Sequence, residues 1–314
     1  MTYPSALRFS HNMGSFKLSL INRIPDRMII FFARPYVAGA TMQSAIDLGD
    51  KLFKNKGRGI LSSVDVLGEE VKREEDAHAA CDLYLRTIEA LGNRKHTTIS
   101  LKPGHMGSYV SRELCRENIE TIIKCGFEKQ IPVTIDMEDT DQTDHTLEIY
   151  REMVEKYPGT GTVLQSKLWR TNADIDLLDG VTATIRLCIG IYDVPKYAYQ
   201  TKPAMKENLL ALMKKLFDRG HVVQIATHDE AIIRRAIEYI EEWRIPRERF
   251  EFQMLMGVPR NRIINELREK NYAVRLYLPF CEEWEDGIAY LRRRLNANPN
   301  FMIYVMRNIL RGSV

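Results

Sequence analysis

The chain alternates eight times between a short run rich in β-branched residues and a longer stretch whose apolar residues recur every three or four positions. The first kind of segment predicts a strand, and the second predicts an amphipathic helix. The predicted strands cover residues 59–66, 97–101, 132–137, 162–165, 182–188, 221–226, 250–255 and 273–278. The predicted helices cover residues 69–92, 109–127, 141–157, 203–219, 228–243, 260–270 and 284–297, and the stretch 169–178 is short and weakly helical.

This alternation favours an α/β fold with parallel strands, because a strand, a crossover helix and the next strand form a right-handed unit. Eight such units in about 260 residues is the size of a (β/α)8 barrel of the TIM type. An open doubly wound sheet is the competing architecture. It usually carries a glycine-rich loop after its first strand, whereas residues 67–69 (LGE) contain no such loop. We therefore predict a (β/α)8 barrel.

The remaining part of the chain lies before the first predicted strand. An additional helix is predicted over residues 42–53. Residues 1–15 are polar and aperiodic and include a second methionine, Met13, so we interpret them as a disordered extension or a cloning remnant. The predicted division is 1–15 for this extension, 16–58 for an N-terminal helical segment and 59–314 for the barrel.

Composition excludes several classes of protein. The 45 basic and 42 acidic residues are mixed, which leaves a net charge of +3 and no basic stripe of the kind that binds nucleic acid. The five cysteines are odd in number and lack CxxC spacing, which argues against a disulfide framework and favours a reducing cytoplasm. No apolar stretch approaches the roughly 18 residues of a membrane span, so we expect at most peripheral membrane contact.

Polar side chains recur where the predicted strands end. In a (β/α)8 barrel the site forms at this edge, so residues at equivalent strand ends converge even when they are far apart in sequence. Taken singly, each has an ordinary structural explanation, such as a helix cap or an interior pair, but their joint placement indicates a site. The residues at predicted strand ends are Lys102, Asp136, Gln165, Arg186, Thr227 and His228, and the further polar residues Glu251, Gln253 and Tyr277 lie on the last two predicted strands.

The last predicted helix carries three consecutive arginines after Tyr290. At about 100° per residue, Arg293 and Arg294 share the face of Tyr290, whereas Arg292 points to the opposite side. Two guanidinium forks and a phenol on one face suit a small carboxylate, because they offer rigid, charge-assisted hydrogen bonds. A solvated basic face is the competing interpretation of an arginine triplet.

Several motifs, in order, resemble those of the proline dehydrogenases, flavoenzymes with a distorted (β/α)8 barrel. The resemblance extends from about residue 28 to residue 310 and is to the bacterial, monofunctional type. The motifs are ARPYVAG at 33–39, DVLGE at 65–69, RLC at 186–188, ATH at 226–228, EFQ at 251–253 and the closing Tyr-x-x-Arg-Arg at 290–294.

The resemblance implies FAD-dependent oxidation of L-proline to Δ1-pyrroline-5-carboxylate, the first step of proline catabolism. In this interpretation Arg293 and Arg294 bind the substrate carboxylate with help from Lys102. Asp136 matches the family's active-site acid and would orient Lys102 and the arginines electrostatically. The residues expected around the substrate ring are Leu187, Ile191, Tyr277 and Tyr290.

The resemblance also implies where FAD binds. Arg186 matches the residue beside the reactive flavin nitrogens, where a fixed positive charge stabilises the reduced, anionic ring. We interpret His228 as a contact to a cofactor phosphate, with a general base as the competing interpretation. The further positions expected to contact FAD are Met137, Gln165, Ile189, Gly190, Ile191 and Thr227.

Two further expectations concern the edge of the site. Where the family usually has Lys-Gly-Ala after strand five, this chain has Ile189, Gly190 and Ile191, so a cation is lost near the cofactor and a bulkier side chain lies beside the substrate ring. Glu69 is expected to pair with Arg293 over the bound ligand and to act as a gate. We predict no metal site, because Asp139 and Asp141 lack a third ligand at usable spacing.

The resemblance implies a quinone as electron acceptor and a separate pyrroline-5-carboxylate dehydrogenase downstream, since no room remains after the barrel for a second domain. Two alternatives stay open. One is a dehydrogenase of another cyclic imino acid, such as hydroxyproline or pipecolate. The other is a barrel that has lost catalysis and only binds a ligand.

Overall fold

The computed structural model describes residues 25–54, 59–68, 70–192, 194 and 196–297. The predicted extension at 1–15 lies outside the described residues. The boundary predicted at 58/59 stays a prediction, because residues 55–58 also lie outside them.

Eight parallel strands close into a barrel in chain order, with β1 hydrogen-bonded to both β2 and β8. The prediction of a (β/α)8 barrel is therefore confirmed. The strands are β1 Leu61–Val66, β2 Thr97–Leu101, β3 Val133–Ile135, β4 Gly161–Gln165, β5 Thr184–Cys188, β6 Val222–Ala226, β7 Phe250–Leu255 and β8 Val274–Phe280.

Helices follow the strands and form the outer layer. The weakly helical stretch after β4 contains one six-residue helix, as its sequence indicates. The helices are α1 Asp26–Ala33, α2 Met42–Lys54, α3 Glu74–Leu91, α4 Arg112–Glu128, α5 Thr143–Lys156, α6 Thr171–Asp176, α7 Lys202–Asp218, α8 Glu230–Glu242, α9 Asn261–Glu269 and α10 Trp284–Ala297. Among these described helices none is both long and apolar enough to cross a membrane.

Alternation along the strands separates an apolar layer from a polar one. Outward-facing residues such as Val64, Ile99 and Phe252 are fully buried in the hydrophobic core between the strands and the helices. Inward-facing residues such as Arg186 and Glu251 are buried as well, but they are charged and hydrogen-bonded across the barrel. Burial of charges requires partners, and the closed barrel supplies them from several strands at once.

The N-terminal segment contains one helix more than predicted. The helix predicted over 42–53 is present as α2, whereas α1 was not predicted. Its sequence, DRMIIFFA, is apolar on nearly all sides and therefore shows no clear helical period. Ile29 and Ala33 of α1 join a second hydrophobic cluster that includes Leu291 and Leu295 of α10. The segment therefore packs against the helix that carries the arginines.

Helix starts are the main difference between prediction and structure. The helices predicted from residues 69 and 109 begin at Glu74 and Arg112. Both differences lie in loops that follow β1 and β2, at the end of the barrel where the polar residues converge. Apolar spacing continues into these loops, so the period alone does not locate the first helical turn.

Candidate active site

Arg186 spans the barrel interior and uses its whole guanidinium group in hydrogen bonds. Its Nε donates to Oε1 of Gln253 (2.6 Å), and one terminal nitrogen donates to Oδ1 of Asp136 (2.5 Å). The other terminal nitrogen donates to the hydroxyls of Ser100 (2.8 Å) and Ser63 (3.5 Å). Arg186 is only 6% exposed. A guanidinium held from several strands presents a fixed positive charge at the carboxyl end of the barrel.

Asp136 links Arg186 to Tyr277. Its Oδ2 accepts a hydrogen bond from the Tyr277 hydroxyl at 2.7 Å. The guanidinium carbon of Arg186 lies 5.1 Å from the centre of the Tyr277 ring, within the range of a cation–π contact. Burial and the negative charge of Asp136 raise the pKa of Tyr277 well above its usual value, so the phenol stays protonated and serves as a donor.

Lys102 pairs most closely with Asp65. The Lys102 Nζ lies 2.5 Å from Oδ1 of Asp65, which points inward from the neighbouring strand β1. Asp136 also attracts the ammonium group, and its expected electrostatic role in orienting Lys102 stays a prediction. Burial lowers the pKa of Lys102, yet Asp65 and Asp136 outweigh burial and the pKa is raised. The ammonium group therefore stays charged at neutral pH.

Helix α10 presents its arginines as the helical period predicts. The guanidinium carbon of Arg294 lies 5.1 Å from the centre of the Tyr290 ring, so these two residues share a face. Arg292 instead pairs with Asp26 of α1 at 2.8 Å. Burial and the adjacent charge of Arg294 lower the pKa of Arg293 to about 10. Two half-buried cations in sequence favour an anion between them.

The predicted cofactor positions at the ends of β4 and β5 lie against each other. Gln165 is 3% exposed, and its Nε2 donates to the backbone oxygen of Glu138 at 2.9 Å. Gly190 has a φ of +96°, and a Cβ at this position would collide with Oε1 of Gln165. Only glycine allows the chain to turn so close to this amide. Ile191 follows and is 37% exposed.

Thr227 and His228 follow β6. The Thr227 hydroxyl accepts a hydrogen bond from the Asp229 N–H (3.1 Å) and so shapes the turn before α8. The Leu255 N–H donates to Nε2 of His228 at 3.2 Å. Burial, aided by Arg260 and Arg294, lowers the pKa of His228 to about 3. The ring is therefore neutral, with its proton on Nδ1, which is buried and has no hydrogen-bond partner among the described residues.

Three predicted site residues pack into the hydrophobic core. Leu187 is fully buried in the layer between strands and helices, on the opposite side of β5 from Arg186. The structure therefore does not bring Leu187 to the barrel interior, because successive side chains of a strand point to opposite faces. Met137 is 7% exposed, and Ile189 is half-buried against the same core.

The sequence reasoning missed Glu138, a buried carboxyl at the edge of the site. It is 4% exposed and accepts a hydrogen bond from the Gly104 N–H at 2.5 Å. Burial raises the pKa of Glu138 to about 7, although the Gly104 N–H and Lys102 oppose this shift. The signal was available in the sequence, because Glu138 lies two residues beyond Asp136 at the end of a predicted strand.

The predicted gate residue, Glu69, lies outside the described residues, so its pairing with Arg293 stays a prediction. Asp139 caps the short helical turn at Thr140–Gln142, with its side chain accepting a hydrogen bond from the Thr140 N–H. In the described part of the chain, no three His, Cys, Asp or Glu side chains cluster in a way that could hold a metal ion.

A closed (β/α)8 barrel that gathers paired charged side chains towards the carboxyl end of its strands has the architecture of a barrel enzyme. A model of the family described as proline dehydrogenase matches residues 49–302 of this chain. The chain belongs to the proline dehydrogenase family, and membership supports oxidation of proline as its activity.

Curated relatives match over most of their length. Proline dehydrogenase 1 of Bacillus subtilis subsp. natto is 31% identical over 281 residues, which covers 89% of this chain and 91% of that protein. Proline dehydrogenase 2 of Bacillus subtilis (strain 168) is 34% identical over 254 residues, with 80% and 82% covered. The proline dehydrogenase of Deinococcus radiodurans is 32% identical over 287 residues, with 89% and 90% covered.

Two solved structures of larger proteins share the fold of this chain. Proline utilization A from Bdellovibrio bacteriovorus superposes with a TM-score of 0.77 at 24% identity and covers 84% of this chain. Proline utilization A from Corynebacterium freiburgense superposes with a TM-score of 0.72 at 19% identity and covers 99% of this chain. The chain spans 32% and 35% of their lengths. At these identities the likeness establishes the fold.

Proposed function

We propose that this chain oxidises L-proline to Δ1-pyrroline-5-carboxylate with FAD as its cofactor and passes the electrons to a quinone. The observation that carries the proposal is the placement of Arg293 and Arg294 on α10, with Tyr290 packed beside Arg294, in a chain of this family. A carboxylate bound there would offset part of the positive charge of two adjacent half-buried guanidinium groups.

The residues around the end of β4 and β5 fit a flavin cofactor. The turn at Gly190 brings backbone next to the buried Gln165 amide, which leaves amide and peptide groups to pair with a polar ring edge. The unpartnered Nδ1–H of His228 offers a neutral donor, so a cofactor hydroxyl or phosphate oxygen would satisfy a buried polar atom. This modifies the interpretation of His228, which cannot contribute a positive charge near neutral pH.

The roles of the chain's own residues follow from their contacts. Arg293, Arg294 and Lys102 would bind the substrate carboxylate, and Tyr277 and Tyr290 would pack against the ring methylenes. When bound, FAD would supply the chemistry of hydride removal from the substrate carbon. Arg186 would hold a positive charge where negative charge develops, because its hydrogen bonds leave it no freedom to turn away.

Asp136 would act by holding Arg186 and the Tyr277 hydroxyl in place, since it accepts a hydrogen bond from each. Glu69 would close over the substrate by pairing with Arg293 and so exclude water. The family resemblance supports the quinone acceptor and a separate dehydrogenase for the product. We also propose a cytoplasmic location with at most peripheral membrane contact.

The test is an anaerobic titration of the purified protein after incubation with FAD. We expect a flavin absorbance band that L-proline bleaches, with Δ1-pyrroline-5-carboxylate as product. Hydroxyproline and pipecolate are titrated in parallel, because bleaching by one of them and not by proline would assign the chain to another cyclic imino acid. A protein that binds proline but no flavin would be a ligand-binding barrel, and the proposal would be wrong.

A further inference from the structure

An ion pair lies inside the barrel on the amino-terminal side of Arg186. Arg275 of β8 donates to both carboxylate oxygens of Glu251 of β7, at 2.7 and 3.0 Å. Arg275 is 7% exposed and Glu251 is 8% exposed. A terminal nitrogen of Arg275 also donates to the backbone oxygen of Ser62 at 2.8 Å, which ties the pair to β1. The pair is thus rigidly held by a fork of parallel hydrogen bonds.

Gln253 connects this pair to Arg186. Its Nε2 donates to Oε1 of Glu251 at 2.6 Å, and its Oε1 accepts from Nε of Arg186 at 2.6 Å. An amide can present either its oxygen or its nitrogen to a neighbour. Glu251 accepts from the amide nitrogen and Arg186, which has no acceptor, donates to the amide oxygen, so the two neighbours require the same orientation and hold the amide from both ends.

The chain of hydrogen bonds continues to the site. From Arg186 it passes through Asp136 to the Tyr277 hydroxyl. Arg275 and Glu251 are the end of this chain; besides each other they bond to Ser62, His96, Thr98 and Gln253. They reach the site through the Gln253 amide and through the attraction between the Glu251 carboxylate and Arg186.

Stability alone does not explain a buried ion pair at this position. The desolvation of two charges offsets most of their attraction, and replacing such a pair by apolar residues of similar volume is often neutral or stabilising. Burial alone would raise the pKa of Glu251, but Arg275 and the hydrogen bonds outweigh burial, so the carboxyl stays ionised. An ionised, oriented acceptor is what the Gln253 amide needs to hold one orientation.

We propose that Glu251 and Arg275 are positioning residues that hold the Gln253 amide in one orientation and thereby keep Arg186 directed at the reacting centre. This rests on the proposed function for the role of Arg186. The positioning itself is a property of the chain without cofactor. It can therefore be measured separately from activity.

The first experiment measures hydrogen exchange at Nε of Arg186 by NMR of the cofactor-free, arginine-labelled protein. The Arg186 resonance is identified by its loss in Arg186→Lys. The test variant is Glu251→Leu with Arg275→Met, which removes both charges and keeps apolar volume. We expect exchange at Arg186 Nε to accelerate at least about 10-fold, because the Gln253 amide then loses the hydrogen bond that holds its nitrogen end in place.

Two further variants make the result specific. Phe252→Leu is the matched control, since Phe252 is fully buried on the opposite face of β7 and contributes only to the core. It should lower the unfolding temperature without changing the Arg186 exchange rate. Arg275→Lys keeps the charge but loses the fork, and it should accelerate exchange even if the double variant does not fold.

The second experiment uses the FAD-loaded protein. For the double variant or Arg275→Lys we expect an equilibrium constant for flavin reduction at least about 10-fold smaller than in the wild type, equivalent to about 30 mV for a two-electron couple. Phe252→Leu should leave it unchanged. The reduction potentials of the bound flavin in these variants distinguish a displaced Arg186 charge from a general loss of stability.

The outcomes are distinguishable. Unchanged Arg186 exchange in both the double variant and Arg275→Lys would overturn the positioning role, whatever the activity. A wild type that binds no flavin would overturn the proposed function, while accelerated exchange in the cofactor-free variants would still support the positioning. A drop in unfolding temperature without any change in exchange would make the pair merely structural.

Discussion

Adjacent arginines of α10 have different surroundings. Arg292 pairs with Asp26 and has a side chain that is 29% exposed, whereas burial and Arg294 lower the pKa of Arg293 to about 10. Arg292 attaches the helix to α1, Arg294 packs on the Tyr290 ring, and binding of the substrate by Arg293 and Arg294 is proposed.

We expect Arg293→Lys and Arg294→Lys to lower kcat/KM for proline by roughly 10- to 100-fold. A point charge cannot reproduce the two parallel hydrogen bonds of a guanidinium group, and loss of one charge-assisted bond costs about 1.5 to 3 kcal/mol. Steady-state kinetics of the three lysine variants measure this. Arg292→Lys is the control, because lysine can keep the ion pair with Asp26. Equal losses in all three would contradict the assignment of the two faces.

Ile191 is expected to limit which ring the site accepts. A branched apolar side chain next to the substrate ring leaves no room and no partner for a hydroxyl, which together cost on the order of 2 kcal/mol or more. We therefore expect proline to be preferred over trans-4-hydroxyproline by at least about 30-fold in kcat/KM. Ile191→Ala should reduce this ratio, measured with both substrates. An unchanged ratio would place Ile191 outside the pocket.

At the scale of elements, α1 and the turn after it support α10, the helix that carries the three arginines. Ile29 lies in one hydrophobic cluster with Tyr290, Leu291 and Leu295 of α10. Gly257, after β7, has a φ of +80°, and a Cβ there would collide with the backbone of residue 35, so the N-terminal segment sits directly on this loop. Helix α10 is thus held by contacts with residues that lie outside the barrel.

Ile29→Ala should lower the free energy of unfolding by about 2 to 5 kcal/mol and raise KM for proline, because it opens a cavity beneath α10. Denaturant unfolding and steady-state kinetics measure the two effects. Met28→Ala is the matched control on the same helix, since Met28 is 45% exposed. It should change stability by no more than about 0.5 kcal/mol. An unaltered KM in Ile29→Ala would mean that α1 does not help to position α10.

At the scale of the whole molecule, four histidines among the described residues have a lowered pKa and link folding to pH, namely His105, His145, His221 and His228. Burial lowers the pKa of His105 and of His228 to about 3, whereas a histidine in the unfolded chain titrates near 6.5. Between these values the unfolded chain binds more protons than the folded one. Stability is therefore fully present above pH 6.5 and decreases as the pH falls towards 3.

We expect the free energy of unfolding of the cofactor-free protein to fall by up to about 1.4 kcal/mol per pH unit for each histidine below pH 6. Urea unfolding at several pH values measures this. Glu138 acts in the opposite direction between about pH 4.5 and 7, because burial raises its pKa to about 7. His105→Phe, which keeps a ring against Tyr84, should reduce the slope. A slope equal to that of the wild type would exclude His105 as a source.

Much of the architecture could be predicted because it depends on the short spacing at which apolar residues recur along the sequence. Alternating strand and helix signals determine a parallel α/β fold, and closure follows from eight units of this length. The same logic located Lys102, Asp136, Arg186 and Tyr277 at one end of the barrel. Helix α1 was not predicted, because its residues are apolar on nearly all sides and its sequence shows no clear helical period. The helix is stabilised instead by burial against α10.

Pairing between side chains was decided only by the tertiary structure. Which acid meets which base depends on strand register and on how inward side chains cross the barrel, and no local pattern records either. Lys102 therefore pairs with Asp65 and Arg186 with Asp136, and Gln253 joins Arg186 to Glu251. The sequence by itself determined the barrel and the residues at its mouth, because both follow from local periodicity. Only closure of the barrel set their partners, because those contacts join strands far apart in the chain.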